Sequence, residues 1–298
     1  MTRTGPVVVI GSANMDLVTT QPRLPEPGET MAGTGFTTGA GGKGLNQAVA
    51  ARRAGAPVEF GGAVGDDAFG RALRSFLEAE GVGTGGLRAS AAPTGIAQVS
   101  VLDGGENSIV IVAGANGEAE LADADRAAIV GASAVVAQLE RPIGLVERAL
   151  AEGREAGALT VLTPAPVVQE AVRLLPLVDI LVPNESEALA LSGEDDVDAA
   201  ARRLSETAGT VIVTRGSRGA LIARGGAIVD AVPARTVEAV DTTGAGDTFV
   251  GVLVAWIVRG ADLPAAVEAA TAAAAIAVTR PGAAPAMPTR AEIETSLG

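Results

Sequence analysis

A doubly wound α/β fold, one mostly parallel sheet sandwiched by helices and carrying a small β-strand lid, is predicted by three features of the sequence. Short apolar runs of strand character alternate with segments of helical periodicity along most of the chain, the βαβ pattern of a parallel sheet covered on both faces. Polar residues recur just past the predicted strands, at the edge where open α/β sheets bind ligands. Two glycine clusters each stand where a loop becomes a helix.

Val7-Val8-Val9-Ile10 reads as a short buried strand that leads into Gly11-Ser12-Ala13-Asn14-Met15-Asp16. From Leu17 to Thr38 the pattern breaks around Pro22, Pro25 and Pro27, as expected of a strand-rich excursion that could act as a lid. Val58 to Val64 is expected as a strand and Asp67 to Ala79 as a helix. Ile96 to Leu102 and Asn107 to Val112 pair as a hairpin that completes the lid. A single domain over 1–298 with lid segments at about 15–38 and 95–112 follows. Strands are next expected at Ala134 to Ala137, Thr160 to Leu162, Ile180 to Pro183 and Val211 to Thr214, with helices at Pro142 to Glu155 and Glu185 to Leu191. Ala220 to Ala223 and Ile228 to Ala231 form a hairpin across Arg224-Gly225-Gly226. Pro264 to Thr279 and Thr289 to Leu297 are the closing helices.

The first glycine cluster, Gly39-Ala40-Gly41-Gly42-Lys43-Gly44, formally matches G-x-G-x-x-G, but a dinucleotide fingerprint should follow the first strand. It is not a phosphate-binding loop of the Walker type, because Gly44 stands where Ser or Thr should follow Lys43. The second cluster, Asp241-Thr242-Thr243-Gly244-Ala245-Gly246-Asp247-Thr248-Phe249, follows Val237 and Val240, which suit a strand end. It precedes Val250, Leu253, Val254 and Ile257 at helical spacing. A helix start offers unpaired N–H groups and a partial positive charge, and glycines let a phosphate approach that backbone. The amides of 244 to 247 then suit an anion, and Asp247 suits a general base that takes the proton of a substrate hydroxyl. The plainer alternative is a helix-terminus aspartate favoured by the macrodipole, beside a tight turn.

Composition narrows the chemistry. Cysteine and histidine are absent, which excludes disulfides, cysteine-zinc sites and Ser-His-Asp catalysis and leaves proton transfer to carboxylates, Lys43 or water. A net charge of −13 with five Phe, one Trp and no Tyr argues against nucleic acid. The longest apolar runs, Val252 to Val258 and Ala269 to Val278, are too short to span a bilayer, and no signal peptide is visible, so the cytoplasm is the expected compartment. Of 22 basic residues only Lys43 is a lysine, and it lies in a glycine cluster. Polar groups past the strands (Asn14 and Asp16, Gln138 and Glu140, Asn184 and Glu187, Thr214 to Gly219) point to one crevice along the sheet edge.

These motifs in this order resemble the ribokinase family of sugar and nucleoside kinases, nearly end to end. The resemblance rests on Gly11-Ser12-x-Asn14-x-Asp16, on Gly41-Gly42-Lys43-Gly44-x-Asn46-Gln47-Ala48, and on Pro183-Asn184-Glu185-x-Glu187. Asp241-Thr242-x-x-Ala245-Gly246-Asp247-Thr248-Phe249 and the tail Ala272 to Arg280 with Gly282 complete it. It implies ATP-dependent phosphorylation of the 5-hydroxyl of D-ribose. Asn14, Asp16, Gly42, Lys43, Asn46 and Glu140 are implied sugar contacts, Asp247 the base, and Gly244, Ala245 and Gly246 the anion hole. The ATP side falls to Asn184, Thr214, Arg215, Gly216, Ser217, Arg218, Gly219, Gly246 and Thr271, with Asn184 and Glu187 near Mg²⁺. Asp241, Thr243, Ala277, Arg280, Gly282 and Ala286 match a monovalent-cation site, usually K⁺; Ala286 stands where a serine is often found. Dimerisation through the lid strands is typical of the family. A kinase for 2-deoxyribose, fructose or a nucleoside, a non-catalytic sugar-binding regulator, and a hydride-transferring enzyme are the alternatives, in that order.

Overall fold

The computed structural model describes residues 5–104 and 106–298. In chain order it contains β1 (Val7–Ile10), β2 (Asn14–Gln21), β3 (Gly35–Gly41), α1 (Lys43–Arg53), β4 (Val58–Gly65), α2 (Ala68–Ala79) and β5 (Gly83–Ser90). There follow β6 (Gly95–Leu102), β7 (Asn107–Val112), α3 (Asp123–Val130), β8 (Ala134–Gln138), α4 (Ile143–Glu155), β9 (Leu159–Thr163) and β10 (Ile180–Leu181). The last third holds α5 (Glu185–Ser192), α6 (Val197–Ser205), β11 (Thr210–Thr214), β12 (Ala220–Arg224), β13 (Ala227–Val232), α7 (Ala245–Val258), α8 (Leu263–Ala277) and α9 (Arg290–Leu297).

The strands form two sheets. The larger has nine strands in the order β13-β12-β11-β10-β9-β8-β1-β4-β5, parallel from β5 to β11 and closed by the antiparallel β12 and β13. Buried strands in such a sheet read as continuous apolar runs because both faces are covered. All four residues of β1 are buried: Val7 and Val9 pack with α1, α7 and α8 on one face, Val8 and Ile10 with Ile129 and Leu145 of α3 and α4 on the other. The second sheet, β3-β2-β6-β7, leaves the first at Ala13 and carries the stretch before α1.

Several expectations need correction. Asn14 and Asp16 follow β1 as expected but already belong to a strand, β2, because Asn14 pairs with Gly41 and Gly95 as soon as the chain leaves the first sheet. Val237 and Val240 end no strand: they are 43% and 66% exposed, and the N–H groups of Val240 and Asp241 both donate to the Val278 carbonyl at the end of α8. The predicted strand Ile180 to Pro183 shrinks to Ile180–Leu181, followed by a lone bridge between Asn184 and Thr214. β5, α3 and α6 carry no expectation from the sequence; glycines at 83, 85 and 86 mask the alternation of β5. Among the described residues no helix is long and apolar enough to cross a membrane.

The junction that shapes the site is the crossing of α1 and α7. Gly251 of α7 lies so close to α1 that an added methyl would stand 2.5 Å from Ala50 Cβ and 2.6 Å from the Gln47 carbonyl oxygen. Gly251→Ala is therefore expected to force the helices apart and cost about 1–3 kcal/mol in urea unfolding. Gly131→Ala, whose methyl would meet nothing within 4 Å, is expected to stay within about 0.5 kcal/mol of the parent. Equal stability of the two variants would contradict the packing described.

Candidate active site

The sheet reverses its winding at β1: the chain passes from β1 to β4 on one side and later returns to β8 on the other, which opens a crevice past their carboxyl ends. Into this crevice α1 directs its N-terminus. Gly42, at φ 94°, makes the turn from β3, and a methyl on Gly44 would meet Gly11 Cα and Ser12 N at 2.6 Å, so only a glycine pair lets helix and strand end touch. Glu140, just past β8, lies on that helix start. One of its carboxylate oxygens accepts the Lys43 backbone N–H at 3.0 Å and also the Ser12 hydroxyl.

From the second sheet, Asn14 and Asp16 lie opposite Gly41 and Gly39 of β3. A methyl on Gly41 would overlap the Asp16 carboxylate at 2.3 Å, so the missing side chain is what gives that carboxylate its place. Burial, reinforced by the neighbouring Glu140 charge, raises Asp16 to about 6. Asn14 is held by a residue the sequence reading missed. Asn116, in the 3-10 turn Gly114–Gly117, donates to Asn14 Oδ1 at 2.8 Å and to the Ala13 carbonyl at 3.1 Å, and accepts the Ala13 N–H at 3.1 Å. Its amide fixes Asn14 with the NH₂ group turned away from Asn116. An Asn among glycines signals only a turn, which is why it escaped notice.

α7 supplies the centre. Gly244 takes the left-handed conformation at φ 73°, and the first intrahelical bond is Thr248 N–H to Gly244 carbonyl, so the N–H groups of Gly246 and Asp247 are left free by the geometry of a helix start. A methyl on Gly246 would point into open space. The buried Asp247 carboxylate accepts from Asn46 Nδ2 at 3.0 Å and from Gln47 Nε2 at 2.9 Å. Burial raises its pKa; the Lys43 charge and the two amide donors oppose that, and Glu140 adds to it. Lys43 feels burial in the opposite sense, yet Asp247, Glu140 and Glu187 together raise it above the ordinary lysine value. A buried carboxylate of raised basicity beside unspent helix amides is suited to accept a proton while the amides hold an anion.

Asn184 and Glu187 form a reciprocal cap on α5: each side chain accepts the other's backbone N–H at 2.9 Å. Burial raises Glu187, which faces Lys43 and Asp247. Past β11, Thr214 bridges to Asn184, Arg215 N–H closes on the Gly219 carbonyl at 2.7 Å, Gly216 and Gly219 take positive φ, and Arg218 pairs with Glu185. Beyond this loop a cavity of about 450 Å³ is lined by Val232, Pro233, Ala234, Arg235, Glu268 and Thr271, whose buried hydroxyl has no partner.

Asp241 joins two segments, accepting Thr243 N–H at 2.9 Å and Gly282 N–H at 2.8 Å. These bonds hold its pKa low against burial. Ala277 and Ala286 are buried nearby in sequence to Gly282, but the Arg280 guanidinium reaches Glu292 of α9 at 2.5 Å rather than Asp241. Arg53, at the end of α1, was also missed: it donates to the Ala284 and Met287 carbonyls at 3.0 and 2.7 Å and so anchors the turn that bears Ala286. No cluster of three or more metal-ligating side chains occurs among the described residues.

Comparison with known proteins identifies the family. The model of the pfkB family of carbohydrate kinases matches residues 5–290. A ribokinase of Haemophilus influenzae is 37% identical over 295 residues, covering 96% of each chain. A deoxyribokinase of Salmonella typhimurium is 37% identical over 286 residues, covering 93% of each chain. The structure of Arabidopsis thaliana ribokinase complexed with ribose and ATP superposes with a TM-score of 0.92 at 32% identity, covering 98% of each chain. A family model spanning nearly the whole chain, together with full-length relatives of one fold, establishes that this protein belongs to the pfkB family of carbohydrate kinases.

Proposed function

We propose that this chain is an ATP-dependent ribokinase that converts D-ribose to D-ribose 5-phosphate. The observation that carries this is the Asp247 carboxylate, buried at the start of α7, gripped by Asn46 and Gln47, and adjacent to the free amides of Gly246 and its own N–H. In the step proposed, the 5-hydroxyl proton passes to Asp247 as the oxygen bonds to the γ-phosphorus. The bond from that phosphorus to the bridging oxygen breaks, its electron pair leaves with ADP, and Asp247 returns the proton to solvent. Gly244, Ala245 and Gly246 line the anion hole.

Asn14, Asp16, Gly42, Lys43, Asn46 and Glu140 are assigned to the sugar. Asn46 gives one N–H of its NH₂ to Asp247 and its buried Oδ1 has no partner, so it offers the sugar that acceptor beside its second N–H. Asn14, fixed by Asn116, offers a donor. Asp16 offers acceptors for neighbouring hydroxyls, and a site built this way rejects an analogue lacking one of them. The equal identity to a deoxyribokinase makes 2-deoxyribose the second reading, decided by whether Asn14 and Asp16 require the 2-hydroxyl.

ATP is assigned to Asn184, Thr214, Arg215, Gly216, Ser217, Arg218, Gly219 and Gly246, with Thr271 on the cavity beyond. One carboxylate oxygen of Glu187 is not used in the α5 cap, so Asn184 and Glu187 would stand near a Mg²⁺ ion, which would supply positive charge to offset that of the nucleotide. K⁺ is assigned to Asp241, Thr243, Ala277, Arg280, Gly282 and Ala286, chiefly through backbone carbonyls, since Ala286 brings no hydroxyl and Arg280 faces Glu292. The second sheet is assigned the role of a lid over the sugar. Phe36 and residues Ile109, Val110, Ile111 and Val112 expose apolar surface on it, which supports a homodimer through the lid strands; the cytoplasm is the compartment assigned.

A panel of ribose, 2-deoxyribose and fructose, followed by ADP release, is expected to give the highest kcat/KM on ribose. Asp247→Asn is expected to lower kcat at least ~10²-fold with little change in ribose KM. A sugar-independent rate, or full turnover by Asp247→Asn, would overturn the assignment. Because the Asp16 pKa is raised to about 6, the acceptor form prevails above that pH and a proton is taken up below it. Calorimetric titration of ribose alone should show affinity constant above about pH 7 and falling below about pH 6, with the bend lost in Asp16→Asn. A pH-independent affinity in the parent would remove Asp16 from the sugar contacts.

A further inference from the structure

Behind Asp247 runs a line of amides that the reaction itself does not consume. Gln138, the last residue of β8, donates through Nε2 to Gln47 Oε1 at 2.6 Å. Gln47, in α1, donates through Nε2 to Asp247 Oδ1 at 2.9 Å and to Thr163 Oγ1 at 3.3 Å. Both glutamines are fully buried, so neither is placed to touch a substrate. Their orientation is tightly constrained. Turning the Gln47 amide over would set its carbonyl against Asp247 Oδ1 and its NH₂ against the Gln138 NH₂, a pair of acceptors and a pair of donors, each without a bond. Gln138 keeps its NH₂ toward Gln47 although its own Oε1 is buried without a partner, close against Gly11, where an added methyl would meet it at 2.4 Å. A buried acceptor left unmatched is disfavoured unless something else depends on the arrangement.

We propose that Gln47, oriented from behind by Gln138, is a positioning residue for the base: it presents a fixed donor to Asp247 that keeps the carboxylate ionised and its remaining lone pairs aimed at the substrate hydroxyl. This rests on the reading of Asp247 as base but not on which sugar is phosphorylated. The donor matters because burial pushes Asp247 toward its neutral form, which cannot accept the hydroxyl proton. The other groups that face Asp247 are Asn46 and the Lys43 ammonium from α1, Glu140 past β8 and Glu187 of α5, and none is altered by changing the glutamines. Loss of the Gln47 donor removes an interaction that favours the ionised form, so the proton is held to higher pH and the acid limb of turnover moves upward.

The test is the pH dependence of kcat, at saturating sugar and ATP, for the parent, Gln47→Met, Gln138→Met and the double variant. The nucleotide's own titration is common to all four. The expected result is an acid limb displaced upward by about one pH unit in Gln47→Met and by less in Gln138→Met. Gln138→Met is expected to add nothing in the Gln47→Met background, since it acts through Gln47. Sugar KM is expected to stay within about threefold. If either folded variant loses turnover equally at every pH, or keeps the parent's acid limb, the glutamines are packing groups and the inference falls. If one variant does not fold, the other decides. Full turnover by Asp247→Asn would instead show that the base itself was misassigned.

Discussion

A carboxylate buried at the start of a helix is the constraint around which the rest of this structure is arranged. Asp247 cannot stay charged away from water without compensation, and the fold supplies it from several directions: Asn46 and Gln47 through hydrogen bonds, Lys43 through its charge, and the helix start through its dipole. The compensation is incomplete by design of the site, since burial still leaves the pKa raised. A fully stabilised carboxylate would be too weak a base for a sugar hydroxyl, and an uncompensated one would be neutral.

That balance depends on closeness that only small residues allow. α1 must come near enough to α7 for its amides to reach the carboxylate, which Gly251 permits. The same α1 must press its N-terminus on the end of β1, which Gly11 and Gly44 permit. One helix therefore ties together three parts of this region. Its first turn holds Glu140 through the Lys43 N–H, its second turn holds Asp247, and its last residue, Arg53, holds the turn bearing Ala286. The second sheet is attached to this arrangement where Asn116 clamps Ala13 and Asn14, so the strand that carries Asn14 and Asp16 is fixed at its root.

Much of this was legible in the sequence because it is local. Glycines before a helical period, an acid in the first turn, and polar residues past apolar runs all mark the crevice without knowledge of the fold, and Lys43 is marked by being the only lysine. What was not legible depends on long-range contact. Gln138 was marked by its place past a strand and Gln47 by its motif, but they are ninety-one positions apart and Asn116 acts on Asn14 from one hundred and two away, so nothing local shows that these side chains meet. Val237 and Val240 misled for the converse reason: their β-branched pattern is real, but the sheet already ends at β13 and the segment is tied to the end of α8 instead. β5 was hidden by its glycines, two of which, Gly83 and Gly86, make room for Glu59 and Asp125.

Where Asp247 meets the substrate decides the chemistry, and a crystal structure with ribose and a non-hydrolysable ATP analogue measures that directly. The prediction is a 5-hydroxyl oxygen about 3 Å from the Asp247 carboxylate, with γ-phosphate oxygens on the N–H groups of Gly246 and Asp247. A sugar whose primary hydroxyl lies beyond about 5 Å from that carboxylate in the closed complex, or a terminal phosphate bound away from the start of α7, would contradict it.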